Sequence, residues 1–189
     1  LVAELLKEST FPQAEFDQLK QEQLARLESM KSEPQMMAMQ AMQRHMNPYP
    51  KDDVRYVMSI DEEIEAVKSV TLDQVKAFHK DFYGASKGEF VVIGEFVPET
   101  TQKQVSDLFN SWKSPQRYAR ITKTYQPIPA ENKTLEAPDK ANAMFIAGVP
   151  AKIKDTDADY PALVLGNYIL GGGMNSRLFA RIRGKEGLS

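Results

Sequence analysis

Apolar positions recur along this chain mostly at helical spacing. Leu1 to Ser9 reads as the tail of a helix, and Thr10 to Pro12 as a break, with Pro12 suited to a first helical turn. From Ala14 on, Phe16, Leu19, Leu27 and Met30 fall on one side at about 100° per residue, while Gln18, Lys20, Glu22 and Arg26 lie outside that stripe. This predicts an amphipathic helix ending before Pro34. Residues 35–46 predict a second helix, stopped by Asn47-Pro-Tyr-Pro50. Asp61 to Val67 predicts a short one whose three leading carboxylates meet the positive end of its dipole. Thr71 and Gln74 form a capping-box pair before the stripe Leu72, Val75, Phe78 and Phe82, with Gly84 as the stop. Pro98 and Glu99 open a helix with Val105, Leu108, Phe109 and Trp112 on one face. Phe90 to Ile93 and Ala143 to Val149 are continuous apolar runs, which predict strands buried on both faces.

The pattern also divides the chain. Residues 1–113 read as one subdomain. Residues 114–138 carry four prolines and few clustered apolar positions, so they read as a linker. Residues 139–189 read as the start of a second subdomain, with a helix from Tyr160 to Leu170 running into Gly171, Gly172 and Gly173. A further helix starts at Asn175 or Ser176, either of which can cap it. Leu178 and Ile182 share one face of that helix and Arg177 and Arg181 another. Gly184 sits where a left-handed cap would end it. A turn needing positive φ accounts for the three glycines, which lack the ending of a phosphate-binding loop and follow a helix rather than a strand. The chain stops at Gly-Leu-Ser with no stop signal, as if inside a domain, and opens on Leu1 rather than Met, as if its start lay upstream.

Composition changes this picture mainly by exclusion. A net charge of −2 argues against general binding to nucleic acid or anionic membrane. No apolar run approaches the roughly 18 residues of a membrane span. With no cysteine there is no disulfide, thiolate zinc site or cysteine nucleophile. Six of the nine methionines lie between Met30 and Met46, spread around a helix, which suits flexible packing better than a soft-metal site. Asp155, Asp157 and Asp159 have a calcium-loop spacing without its glycine and distal glutamate, so the helix-dipole reading is preferred. The two histidines, His45 and His79, form neither His-x-x-x-His nor His-x-x-Glu-His, and no Gly-x-Ser-x-Gly elbow is present. A lone His79 beside an apolar stripe reads as packing or surface rather than ligand.

A resemblance enters through Leu170-Gly-Gly-Gly-Met-Asn-Ser-Arg-Leu-Phe179 and Arg181-Ile-Arg-Gly-Lys-Glu-Gly-Leu-Ser189. These resemble the second subdomain of the M16 (pitrilysin/insulysin-type) zinc metallopeptidases. Pro48 to Tyr56 and Val70 to Gly84 are also similar to that family. The resemblance implies an α+β fold: parts of two consecutive α/β-roll subdomains, with helices packed on a mixed sheet and the second one incomplete. The first is expected to be mostly helical here, its early strands lying upstream. The resemblance implies hydrolysis of peptides or unfolded protein at a zinc site made by His-x-x-Glu-His. That motif is absent here, so zinc belongs to another half or subunit and no cofactor is expected in this stretch, which should be inactive alone. Arg183 matches the arginine that the second half lends to the site; the accompanying tyrosine would fall just past Ser189. The arginine would donate to a substrate carbonyl or the oxyanion formed from it. Gly171, Gly172 and Asn175 are candidate substrate contacts on the same basis. Shorter family members join a similar glycine-rich subdomain to the zinc motif in one chain, in which case Arg183 need not be catalytic. Two other readings stay open: a non-catalytic M16-like scaffold or partner subunit, and a free-standing peptide-binding module. Periplasmic or secreted bacterial placement is implied by the resemblance alone.

Overall fold

A computed structural model describes residues 1–188. The chain divides into two units: residues 1–124 with 128–148, and residues 125–127 with 149–189.

The first unit holds six helices: α1 (Val2–Lys7), α2 (Gln13–Met30), α3 (Pro34–His45), α4 (Ile60–Ser69), α5 (Leu72–Phe82) and α6 (Pro98–Phe109). Local chemistry explains most of the boundaries. Pro34 and Pro98 stand in the first turns of α3 and α6, where a missing N–H costs nothing. The Thr71–Gln74 capping box forms as expected: the Gln74 N–H donates to Thr71 Oγ1 at 3.3 Å and the Thr71 N–H to Gln74 Oε1 at 2.8 Å. A second box, Ser59 with Glu62, opens α4.

The core lies between α2 and α4. Leu27, Ile60 and Ile64 are buried together, with Leu24, Met30 and Val67 packed partly against them. Ile60, Ile64 and Val67 recur at four and three residues, so one face of α4 meets the C-terminal half of α2. The expected α2 stripe extends too far, because Leu19 remains exposed while Leu24 joins the core.

Glu62 organises the elements around that core. Its carboxylate accepts from Lys51 Nζ at 2.7 Å, Tyr56 Oη at 2.8 Å, the Ser59 N–H at 2.9 Å and Arg44 Nη1 at 3.3 Å. The Lys51, Ser59 and Tyr56 donors, Lys51 first, hold its pKa down to about 2 from 4.5. In the loop before α4, the Arg55 guanidinium grips Asp53 at 2.6 and 2.8 Å and lies 4.0 Å from the Tyr49 ring centroid. That grip, with the Arg55 N–H, lowers the Asp53 pKa from 3.8 to about 2. The leading carboxylates of α4 therefore act through tertiary partners as well as the helix dipole, since Asp61 Oδ1 also lies 2.8 Å from Lys31 Nζ.

The second unit contains α7 (Tyr160–Gly171), α8 (Arg177–Phe179) and a π-helical segment, Ala180–Lys185.

The expected α+β fold is overturned: the described residues contain helices and no strand or sheet. Neither apolar run forms a ladder. Ile93 is 94% exposed and Phe145 87%, where a two-sided buried strand would hide both. β-propensity favours extended backbone, but a strand exists only where a second backbone supplies donors and acceptors, and none among the described residues does.

Surface area shows how little is hidden. The accessible surface is 15741 Å². A self-contained chain of 21.3 kDa exposes about 9,100 Å², and two separate bodies of the sizes of these units about 10,600 Å².

Two predictions follow from this packing. Leu27 is 1% exposed, so Leu27→Ala should remove about 3 kcal/mol, read as a fall in the urea midpoint. Glu62 and Asp53 titrate lower when folded, so their stabilisation is complete at neutral pH. It should decline as pH falls below 4.5 and be gone below about 2. Urea midpoints measured from pH 7 to pH 2.5 should drop, and the drop should be shallower in Glu62→Gln.

Candidate functional site

The four residues singled out by sequence, Gly171, Gly172, Asn175 and Arg183, all fall in the second unit. Gly171 ends α7 and Gly172 caps it, donating its N–H to the Tyr168 carbonyl at 3.0 Å. Neither has positive φ; Gly172 lies at φ −81. Glycine is required at 172 for a different reason. A Cβ there would lie 2.7 Å from Tyr168 Cα and 2.8 Å from its Cδ2, so the chain passes directly over that residue. At 171 a Cβ would meet only Leu178 Cδ1, at 3.3 Å. Asn175 is exposed in the turn. Of the two cap candidates, Ser176 takes the role: its buried hydroxyl accepts from the Phe179 N–H at 3.3 Å.

Past α8 the helix widens. The Glu186 N–H donates to Arg181 O at 3.1 Å and the Leu188 N–H to Ile182 O at 3.0 Å. Gly184 continues this segment rather than ending it, and the left-handed residue is Gly187, at φ 65. Arg181 Nη2 pairs with Glu186 Oε1 at 2.8 Å. Arg183 is exposed and has no ion pair among the described residues; its guanidinium lies 5.6 Å from the Phe179 ring centroid. No hydrogen bond or ion pair links Arg183 to Asn175 among the described residues.

Both histidines hold backbone. His45 Nε2 lies 2.8 Å from Pro129 O and its Nδ1 2.9 Å from Glu131 Oε2. His79 Nε2 lies 2.8 Å from Leu6 O, and its ring meets Phe11 edge-on. Among the described residues no three His, Asp or Glu side chains gather as a metal group would need, and Asp155, Asp157 and Asp159 do not converge on one. Asp157 instead accepts from the Lys154 N–H at 2.8 Å. Among the described residues no helix is long and apolar enough to cross a membrane.

The model of the peptidase M16 inactive domain matches residues 69–189. The chain belongs to that family. This M16-type chain is also similar to the Helicobacter pylori protein named non-peptidase homolog YmxG, 27% identical over 125 residues. Those residues are 66% of this chain and 28% of that protein, so the chain spans under a third of its relative's length. No solved structure matches it. Family membership agrees with the residues that carried the resemblance, the glycine-rich turn and the Arg181–Ser189 run, and the matched domain is of the non-catalytic kind.

Sequence reasoning missed Glu62 as an organising residue and Phe179 as the partner of Arg183. The signal for the first was present, since Ser59-Ile-Asp-Glu62 is itself a capping-box pattern. The second is a simple four-residue spacing, Phe179 to Arg183, which an ordinary helix already places on one face.

The glycine geometry gives a direct test. Gly172→Ala should destabilise the second unit by about 1–3 kcal/mol through overpacking on Tyr168. Gly173→Ala, whose Cβ would sit 3.5 Å from the Tyr168 hydroxyl, should be mild. Proteolysis rates at residues 160–188 would read both.

Proposed function

We propose that this chain is the zinc-free part of an M16-type peptidase, working against a zinc-bearing half or subunit and lending Arg183 to a bound peptide. The observation that carries the reading is the state of Arg183: an exposed guanidinium facing an aromatic ring, with no carboxylate partner among the described residues, while its neighbour Arg181 has one. A guanidinium already engaged by a carboxylate has fewer donors to offer a peptide carbonyl. One with its donors available can hold that carbonyl and the oxyanion that forms when metal-activated water attacks it. The partner would supply the zinc and the general base, and the substrate would be a peptide or an unfolded protein segment.

A second reading is favoured by the name of the relative, which calls it a non-peptidase homolog. On that reading the chain belongs to a non-catalytic scaffold or partner subunit, and Arg183 is an ordinary surface cation.

One experiment separates the two. Hydrolysis of unstructured peptides is measured for the assembled protein, wild type and Arg183→Ala, with bound zinc quantified. On the first reading the rate falls by about 10²–10³ with zinc unchanged. An intact rate would remove Arg183 from the site. An assembly that holds no zinc and cuts nothing would leave the scaffold reading standing.

A further inference from the structure

Three arginines fall within seven residues, at 177, 181 and 183, and the last two are handled oppositely. Arg181 is neutralised by Glu186, five residues on, at 2.8 Å. On an α-helix it is residues three and four apart that face each other. A π-helix, whose backbone bonds reach from i to i+5, brings residues five apart to the same side. The winding over Ala180–Lys185 thus clasps Arg181 and Glu186 together. Arg183 is left with its guanidinium 5.6 Å from the centroid of Phe179. The ring attracts the cation but accepts no conventional hydrogen bond, so the N–H donors stay available. Phe179 is itself fixed: it is half-buried, and its N–H is held by the Ser176 hydroxyl. Single π turns are rare and often mark functional sites.

We infer that Phe179 is the positioning residue for Arg183. The π turn removes the only nearby carboxylate that the described residues show paired, by closing it onto Arg181. The Phe179 ring then restricts a flexible side chain before any peptide arrives, so less conformational freedom is lost on binding. This rests on the reading of Arg183 given under the proposed function, and it adds the residue that makes the guanidinium ready.

Two readouts test it. The first uses the 189-residue chain labelled with ¹⁵N. The Arg183 Nε–Hε resonance, assigned by its loss in Arg183→Ala, should carry an upfield ring-current shift. Phe179→Leu should move it to the position of freely exposed arginines, and Phe179→Tyr should leave it in place. The Ser176 cap uses only the Phe179 backbone, so both variants keep it. A resonance unmoved by Phe179→Leu overturns the inference whatever the activity. The second readout is hydrolysis of an internally quenched, unstructured peptide by the assembled protein. Phe179→Leu should lower kcat about tenfold, less than loss of the donor itself, with KM and zinc content nearly unchanged. Phe179→Tyr should restore the rate. A wild-type rate in Phe179→Leu, where Arg183→Ala is slow, overturns the inference. If Arg183→Ala is as fast as wild type, the proposed function fails, and the resonance alone then decides whether Phe179 positions Arg183.

Discussion

The carboxylate of Glu62 is the point on which the first unit turns. It takes four donors from three places: Arg44 on α3, Lys51 and Tyr56 in the loop, and the backbone of Ser59 at the start of α4. One group thereby fixes where α4 begins and where the preceding loop and α3 lie around it. The direction of α4 determines whether Ile60 and Ile64 reach Leu27. The apolar core is too small to impose that alignment by itself. Polar geometry sets the frame here, and apolar contact fills it.

The same division of labour recurs around the loop and the histidines. Arg55 bridges Asp53, Tyr49 and the Thr122 carbonyl, so an irregular stretch with two prolines keeps a defined course. His45 and His79 reach carbonyls 84 and 73 residues away in sequence. An irregular segment at Pro129 and the last turn of α1 at Leu6 are held by side chains that cross to them, which is how backbone carbonyls without a helical partner find one. In the second unit, the Ser176 cap and the Arg181–Glu186 clasp do comparable work around the π turn.

What the sequence disclosed and what it hid follow one physical line. Helix starts at Thr71 and Pro98 were legible because caps and first-turn prolines act within three or four residues. The strand expectation failed because Phe90–Ile93 and Ala143–Val149 state a preference for extended backbone but say nothing about a neighbour to pair with. The glycines were misread for a related reason. The need for glycine at 172 comes from Tyr168 lying beneath it. Gly84 likewise lies against the backbone of Ser114, where a Cβ would sit 2.2 Å from the amide nitrogen. Such requirements live in the approach of two chain segments. At the candidate site the motif located Arg183, but the widened helix that separates its fate from that of Arg181 leaves no local signature.

The exposed apolar surface has a thermal consequence. The heat capacity of unfolding scales with the apolar area that unfolding uncovers. In this chain much of that area is already wet: Val164, Leu165, Tyr168 and Ile169 on α7 are each about half exposed or more. Its heat-capacity increment should therefore lie below the usual 12–15 cal/mol/K per residue, roughly, that closed domains show. A small increment and a small enthalpy give a broad, shallow calorimetric transition. The chain would hold its shape loosely over a wide temperature range, and any surface that covers α7 would sharpen its melting before it changed a single bond within it.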